Sequence, residues 1–244
     1  MKKKVLLHII ATNKYDRYIN GIIESAKEHF FKDQKITFVI YTDSDDFLNS
    51  EDPEIFSFKI EHESWPAPTL KRFHYFSLAM DIIEKSDFSF YIDVDSLFVR
   101  NIGMEDLNIT EDFDGMIGTL HPGYYGNRGT PERRRESLAY IPYEVNNVYF
   151  CGGFFGGSSE EFARAITTMK NNIDSDLSRN IIAIWHDESH LNRYFVDNPP
   201  KSILGVGFSC PEERRLQEDY FMNPYIIFLN KEAEIKIEKG QDAN

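Results

Sequence analysis

The chain has 244 residues, 41% apolar and 14% aromatic, with 20 Phe and 13 Tyr, enough for a substantial core and too apolar for a disordered tail or linker. A formal net charge of -13 repels a phosphodiester backbone, which excludes nucleic acid as the expected partner. The two cysteines, Cys151 and Cys210, suit a reducing compartment better than a disulfide framework, and no apolar stretch reaches the length of a membrane span, so the expectation is a soluble, cytoplasmic chain without a transmembrane anchor.

Although Met1 to Ala11 has a basic start and an apolar run, His8 and the polar Thr12-Asn13-Lys14 end it without a small-residue cleavage site, and Val5 to Ala11 reads as a buried first strand. Tyr18, Ile22, Ile23, Ala26 and Phe30 recur at helical spacing, which predicts an amphipathic helix from Tyr15 to Phe31. Ile36 to Tyr41 and Ile55 to Ile60 read as two further strands. Trp65-Pro66-Ala67-Pro68 is a stiff connector, and Thr69 is placed to cap a helix from Leu70 to about Lys85 with Arg72 in its first turn. This alternation predicts an α/β fold: a single Rossmann-like domain over residues 1–244, with a mostly parallel central sheet flanked by helices and a frayed charged tail from about residue 231.

Phe88 to Val99 is an apolar strand pattern interrupted by two carboxylates. Residues i and i+2 of a strand share a face, so Asp93 and Asp95 are expected to project together while Val94 faces away. Paired carboxylates repel unless a cation or several donors lie between them, and an all-oxygen pair suits a hard ion such as manganese or magnesium. On a solvated loop the same pattern means nothing. At the carboxyl end of an apolar strand, where open α/β sheets bind ligands, it reads as a cation site.

Met116 to Leu120 is another strand candidate, and the loop from His121 to Thr130, rich in Gly, Tyr and polar residues, suits the lining of a pocket. Arg133-Arg134-Arg135 is either a phosphate-neutralising run or a solvated basic face. Val148 to Gly157 reads as a strand with two Gly-Gly steps, explained by close approach of a ligand or by tight backbone packing. Ser158 or Ser159 with Glu160-Glu161 opens a structural helix through about Met169. An apolar segment from Ile181 then runs into Trp185-His186-Asp187-Glu188-Ser189-His190, the densest group of reactive side chains, with helix over Leu191 to Phe195. His186 and His190 stand four apart and admit a zinc-dependent hydrolase, but Asp187 occupies the position where the metalloprotease pattern needs Glu. Asp187 and Glu188 read better as carboxylates with divided tasks, one fixing a polar substrate and one poised at the reacting carbon; capping or salt bridging is the plainer alternative.

Taken together, Trp65 through Arg72, Asp93-Val94-Asp95, Thr119 through Tyr125, Ala139 through Pro142, Cys151 through Gly157 and Trp185 through His190 resemble glycosyltransferase family six, retaining enzymes that include the ABO blood-group transferases and the α-1,3-galactosyltransferase. The resemblance implies a GT-A fold, a UDP-sugar donor, manganese with magnesium as the alternative, and α-1,3 transfer of N-acetylgalactosamine or galactose to a hydroxyl of an oligosaccharide acceptor. It implies that Asp93 and Asp95, with Val94 between them, bind the metal and donor diphosphate, that Tyr15 lies against uracil, and that Ile10 and Thr12 line the uridine pocket. Arg72 matches a residue near the donor sugar, Asp187 one that binds donor hydroxyls, and Glu188 the proposed nucleophile, which also faces the acceptor. Cys151, Gly152 and Gly153 fall on the segment that sets donor choice, where small residues favour UDP-GalNAc over UDP-galactose. His121, Thr130 and Trp185 match acceptor contacts, and Lys231 matches a basic residue of the closing C-terminal tail. Relative to animal members the chain is expected to lack the anchor and stem, which points to a bacterial or phage origin, and its shorter His121 to Thr130 loop leaves the identity of the acceptor open. A third reading is a nucleotide-sugar-binding module without turnover.

Overall fold

The computed structural model describes residues 2–145, 148–215 and 223–230. Lys231 and the charged tail lie outside the described residues. The first half of the chain forms β1 (Lys4–Ala11), α1 (Ile19–His29), β2 (Lys35–Thr42), α2 (Asp45–Leu48), β3 (Ile55–Lys59), then the short helices α3 (Ala67–Leu70), α4 (Arg72–Ser77) and α5 (Met80–Ile83), and β4 (Phe88–Ile92). There follow β5 (Ser96–Phe98), β6 (Met116–Leu120), β7 (Phe150–Ser158), α6 (Ser159–Ser178), α7 (His186–Asp197), β8 (Ser202–Leu204), β9 (Cys210–Pro211) and β10 (Ile226–Phe228).

Seven strands form a mixed sheet in the order β3-β2-β1-β4-β7-β6-β8, and β7 alone among them runs antiparallel to its neighbours. Alternation along each strand divides the core into two layers. Val5, Leu7 and Ile9 of β1 join Phe90, Ile92 and Phe154 on the face that α1 covers with Ile19, Ile22 and Ala26. Leu6 joins Val39, Tyr91 and Phe155 on the opposite face, against Phe73 and Phe76 of α4 and Phe162 and Ile166 of α6. Both faces are therefore apolar, as helix-covered parallel strands require. His8 points into the second layer, where its Nδ1 is 2.9 Å from the Tyr41 hydroxyl and its ring stacks on Phe162; burial lowers its pKa to about 3.

The predicted first three strands and β6 form within a residue or two of their expected bounds, but several elements differ. A 3-10 turn (Asn13–Tyr18) precedes α1, so the helix begins later than its apolar spacing suggests. The helix expected from Leu70 to Lys85 is three short pieces, broken at Lys71 (ψ 9°) and Ala79 (ψ 12°). Arg72, Phe73, Tyr75 and Phe76 are all buried, so packing on more than one face overrides the single amphipathic period. Thr69 lies inside α3, with its hydroxyl donating to Pro66 O rather than capping. α6 continues to Ser178 behind its Ser158 cap, and α7 begins at His186 rather than Leu191.

The largest departure concerns the two carboxylates. The strand ends at Ile92, and Asp93-Val94-Asp95 is a turn into β5, which belongs to a second sheet of order β5-β10-β9. The shared-strand-face argument for Asp93 and Asp95 therefore does not hold: the chain must leave the main sheet here to pair with β10.

The second Gly-Gly step is a packing requirement. A Cβ at Gly156 would lie 2.4 Å from Ser89 O and 2.7 Å from Phe90 Cα, and at Gly157, where φ is +152°, 2.1 Å from Gly115 O. Gly156→Ala is accordingly expected to destabilise the protein by about 1–3 kcal/mol or more through overpacking against backbone, seen as a lower midpoint of urea unfolding; an unchanged midpoint would contradict this packing.

Candidate active site

The topology collects the predicted residues at one edge of the sheet. β1, β4 and β6 point the same way and end there, at Ala11, Ile92 and Leu120, while antiparallel β7 begins there at Phe150. Ile10 and Thr12 lie at the end of β1, and Tyr15 follows in the 3-10 turn, its N–H donating to Thr12 O at 3.2 Å. Thr12 Oγ1 is 3.0 Å from His62 Nδ1, and the Tyr15 and Tyr18 rings are 6.1 Å apart.

Arg72, at the start of α4 and only 6% exposed, ties the centre together. Its guanidinium donates to Gly152 O, pairs with Asp187 at 3.0 Å and Asp93 at 3.3 Å, and lies 4.2 Å from the centroid of the Tyr91 ring. The Tyr91 hydroxyl donates to Asp93 Oδ1 at 2.5 Å, and the Asp93 N–H donates to Gly153 O at 2.9 Å. Asp95 is 5% exposed, and its carbonyl accepts from Leu229 N–H at 2.8 Å, which fastens the turn to the end of β10.

α7 carries the other two carboxylates. His186 has φ 48°, uncommon for a residue other than glycine, where the chain turns into this helix. Asp187 and Glu188 occupy the first turn, where the helix dipole favours negative charge. Glu188 is held at both oxygens: Oε1 accepts from the Tyr149 hydroxyl and Oε2 from Gly152 N–H, each at 2.8 Å. Buried Asn192, one turn on, exchanges hydrogen bonds of 2.9 Å with both backbone groups of Phe150 and donates to Glu188 O, anchoring α7 to β7. Burial pushes Glu188 up to about 7 against the pull of these two donors, and Asp187 up to about 6 against the pull of Arg72.

Glu188 opens on a cavity of about 230 Å³ shared with Asp93, His121, Cys151, Gly153 and Phe228. The first Gly-Gly step thus divides. A Cβ on Gly153 would strike the Phe228 ring at 2.5 Å, so protein fills that space; one on Gly152 would sit 3.3–3.6 Å from Arg72, Glu188 and Asp187, among the charged groups. Cys151 is buried, its sulfur accepting from Gly153 N–H at 3.3 Å, and burial raises its thiol to about 12, leaving it neutral.

The residues expected on the acceptor side converge as well. Trp185 Nε1 donates to Thr130 Oγ1 at 2.6 Å, and the Tyr124 hydroxyl is 3.0 Å from the same oxygen. His121 Nδ1 accepts from Gly123 N–H at 3.0 Å, which leaves Nε2 as the protonated nitrogen; burial lowers its pKa to about 4, so the ring is neutral at pH 7.

Two groupings that the sequence admits only as alternatives do not form. His190 Nε2 turns toward buried Asp176 at 3.7 Å while His186 packs edge-on against Trp65, so the histidines serve different surroundings and the zinc pair is not assembled. In the basic run, Arg133 donates to Ile141 O and covers the Tyr143 ring, and Arg134 is held by buried Glu132 at 2.6 Å, so both act within the fold. Sequence reasoning missed Tyr149, Tyr91, Asn192 and Phe228. Tyr149 and Phe228 carry no spacing signal of their own, whereas Asn192 lies four residues after Glu188, a helical spacing that places the two together.

The sequence profile of glycosyltransferase family 6 matches residues 1–222. The chain belongs to glycosyltransferase family 6. Family 6 is a GT-A family, in accord with the mixed sheet and its single crowded edge. The chain is 29% identical over 228 residues to the O-antigen biosynthesis glycosyltransferase WbnI of Escherichia coli, covering 92% of this chain and 94% of that one. It is 30% identical over 212 residues to histo-blood group ABO system transferase 1 of Rattus norvegicus, covering 81% of this chain and 58% of that one. To the globoside α-1,3-N-acetylgalactosaminyltransferase 1 of Gallus gallus it is 28% identical over 228 residues, covering 87% and 63%. The chain thus spans about three fifths of the length of these two animal family-6 relatives. Among the described residues no helix is long and apolar enough to cross a membrane.

Proposed function

We propose that this glycosyltransferase moves N-acetylgalactosamine or galactose from a UDP-sugar to a hydroxyl of a glycan acceptor, in α-1,3 linkage and with retention at the anomeric carbon. The observation that carries this reading is the meeting of Arg72, Asp93, Asp187 and Glu188 at the sheet edge, with Glu188 fixed at both oxygens. Ile10, Thr12 and Tyr15 receive the uridine, Arg72 and Asp187 hold the donor sugar, and His121, Thr130 and Trp185 form the acceptor wall.

Asp93 and Asp95, with Val94 between them, are the residues to hold manganese or magnesium. The donor set fits such an ion: two carboxylates one residue apart, at the turn after β4, offer the hard oxygen ligands that such a cation takes. When bound, that cation offsets negative charge developing on the leaving UDP. Glu188 faces the anomeric carbon as an anion. It acts either by forming a glycosyl-enzyme bond as the bond to UDP breaks, or by stabilising an oxocarbenium centre while the acceptor enters on the face UDP leaves.

The preference for an N-acetylated donor rests on the small Cys151-Gly152-Gly153 segment, where a Cβ on Gly152 would stand 3.3–3.6 Å from Arg72, Glu188 and Asp187, the groups read as facing the donor sugar. Gly152→Ala is expected to leave the protein folded and to lower kcat/KM for UDP-GalNAc relative to UDP-galactose about 10-fold or more, the scale on which one methyl group in a pocket discriminates; an unchanged ratio would remove Gly152 from donor selection. The reading as a whole is tested by incubating the protein with UDP-sugars, manganese and an acceptor array. Glycan product that disappears on chelation is the expected result, and donor binding without transfer or hydrolysis would overturn it.

A further inference from the structure

The space over Gly153 is closed by a side chain from a distant part of the chain. A Cβ on Gly153 would lie 2.5 and 2.9 Å from Cε1 and Cζ of Phe228 and 3.1 Å from Asp93 Oδ2, whereas at Gly156 and Gly157 backbone atoms stand closest. Glycine is therefore required at 153 by one ring and not by the sheet. That ring is half-buried and lines the cavity of about 230 Å³ together with Glu188, Cys151 and Asp93. Its backbone is held on both sides. Phe228 pairs with Ser96 of β5 and Pro211 of β9, Leu229 N–H donates to Asp95 O at 2.8 Å, and Asn230 N–H donates to Glu212 at 2.9 Å. On the facing wall Gly153 lies within β7, and its carbonyl accepts from Asp93 N–H at 2.9 Å. With both backbones fixed, the size of the ring sets the width of the cavity.

We propose that Phe228 is a specificity-determining residue, the wall that limits how large an acyl group the donor sugar carries on its C2 nitrogen. The inference rests on the UDP-sugar reaction and the role of Glu188 proposed above, and goes beyond them by naming what bounds the donor pocket opposite β7. Two features point to C2. Glu188 is the group assigned to the anomeric carbon and its Oε2 accepts from Gly152 N–H, so the substituent one carbon away falls beside the neighbouring Gly153. The cavity is also divided in character: Asp93, His121 and Glu188 are polar, while the Phe228 ring and the neutral Cys151 thiol are the surfaces that suit the methyl end of an acyl group. A longer acyl chain meets the ring just as a Cβ on Gly153 does.

The test compares kcat/KM for UDP-GalNAc and for UDP-N-butanoylgalactosamine, whose acyl chain is two methylenes longer, in transfer with an acceptor and in slow hydrolysis without one, both with manganese. A ratio taken within one variant does not depend on how much of that protein is folded. Phe228→Ala is expected to raise the ratio in favour of the butanoyl donor about 10- to 100-fold, the scale on which methylene groups discriminate in an apolar pocket, in hydrolysis as well as in transfer. Phe228→Leu should shift it the same way by less, and serves where the alanine variant does not fold. Gly153→Ala alone should lower activity with UDP-GalNAc about 10-fold or more, and adding Phe228→Ala should restore part of it, because the ring is what the new methyl meets. A ratio within twofold of the unmodified protein in both Phe228 variants would overturn the wall. So would a shift seen in transfer and absent from hydrolysis, which would place the ring against the acceptor instead. In either case transfer by the unmodified protein leaves the proposed reaction standing, whereas an unmodified protein that neither transfers nor hydrolyses a UDP-sugar would remove the reaction and the wall with it.

Discussion

Glu188→Gln should reduce sugar transfer about 10³-fold or more while leaving the affinity for UDP-sugar within a few-fold of the unmodified protein. The reason lies in what surrounds the carboxylate. Both of its oxygens face donors, the Tyr149 hydroxyl and Gly152 N–H, so an amide fits the space but must turn its NH₂ toward one of them. It also lacks the negative charge that the proposed reaction needs at a carbon becoming cationic as UDP departs. In the proposed reaction, donor binding rests on other residues, chiefly the Asp93-Asp95 turn, Arg72 and the end of β1. Titration calorimetry with the UDP-sugar, set beside single-turnover transfer rates, separates the two effects. Equal loss of binding and rate would make Glu188 a donor-binding group, and an unaltered rate would exclude it from the chemistry.

Asp95→Asn is expected to cost a comparable amount, about 10²- to 10³-fold in kcat/KM, by weakening the hold on the cation proposed for this turn, which would stabilise the leaving diphosphate by an amount on the order of several kcal/mol. Part of the loss should be recovered at high manganese, because a weaker site still fills by mass action. Asp93→Asn should be the worse of the two. Asp93 is bonded to Arg72 and Tyr91 as well as standing at the turn, so neutralising it also leaves Arg72 more dependent on Asp187. Activity against manganese concentration distinguishes them: a shifted midpoint for Asp95→Asn, and a lowered plateau as well for Asp93→Asn. Full activity of Asp95→Asn in the presence of chelator would contradict a metal role for the turn.

How far these residues are legible without coordinates depends on how local their cause is. The alternation of β1, α1, β2 and β3 follows from apolar spacing, and the edge at which Asp93, His121 and Asp187 meet follows from strands that end in polar turns. Cooperation between distant segments is not local. The Asp93-Val94-Asp95 stretch has the composition of a strand, yet pairing of β5 with β10, more than 120 residues away, draws it into a turn. Arg72 to Ser77 buries aromatic residues on several sides against α6 and the sheet, which no single helical period describes. Tyr149 is one of 13 tyrosines, and its bond to Glu188 spans 39 residues, so only the folded chain reveals the partner. The two Gly-Gly steps look alike as sequence, whereas their surroundings differ entirely: Ser89 and Gly115 backbone at Gly156-Gly157, and charged side chains at Gly152.

The central claim, retention at a centre faced by Glu188, is tested most directly by the anomeric configuration of the first sugar product formed from an α-linked UDP-sugar, read by proton NMR before mutarotation or further reaction. The account predicts the α anomer, both in the glycan product and in the sugar first released by slow hydrolysis. A β product would contradict it, because a single inverting displacement has no use for a carboxylate fixed on that face.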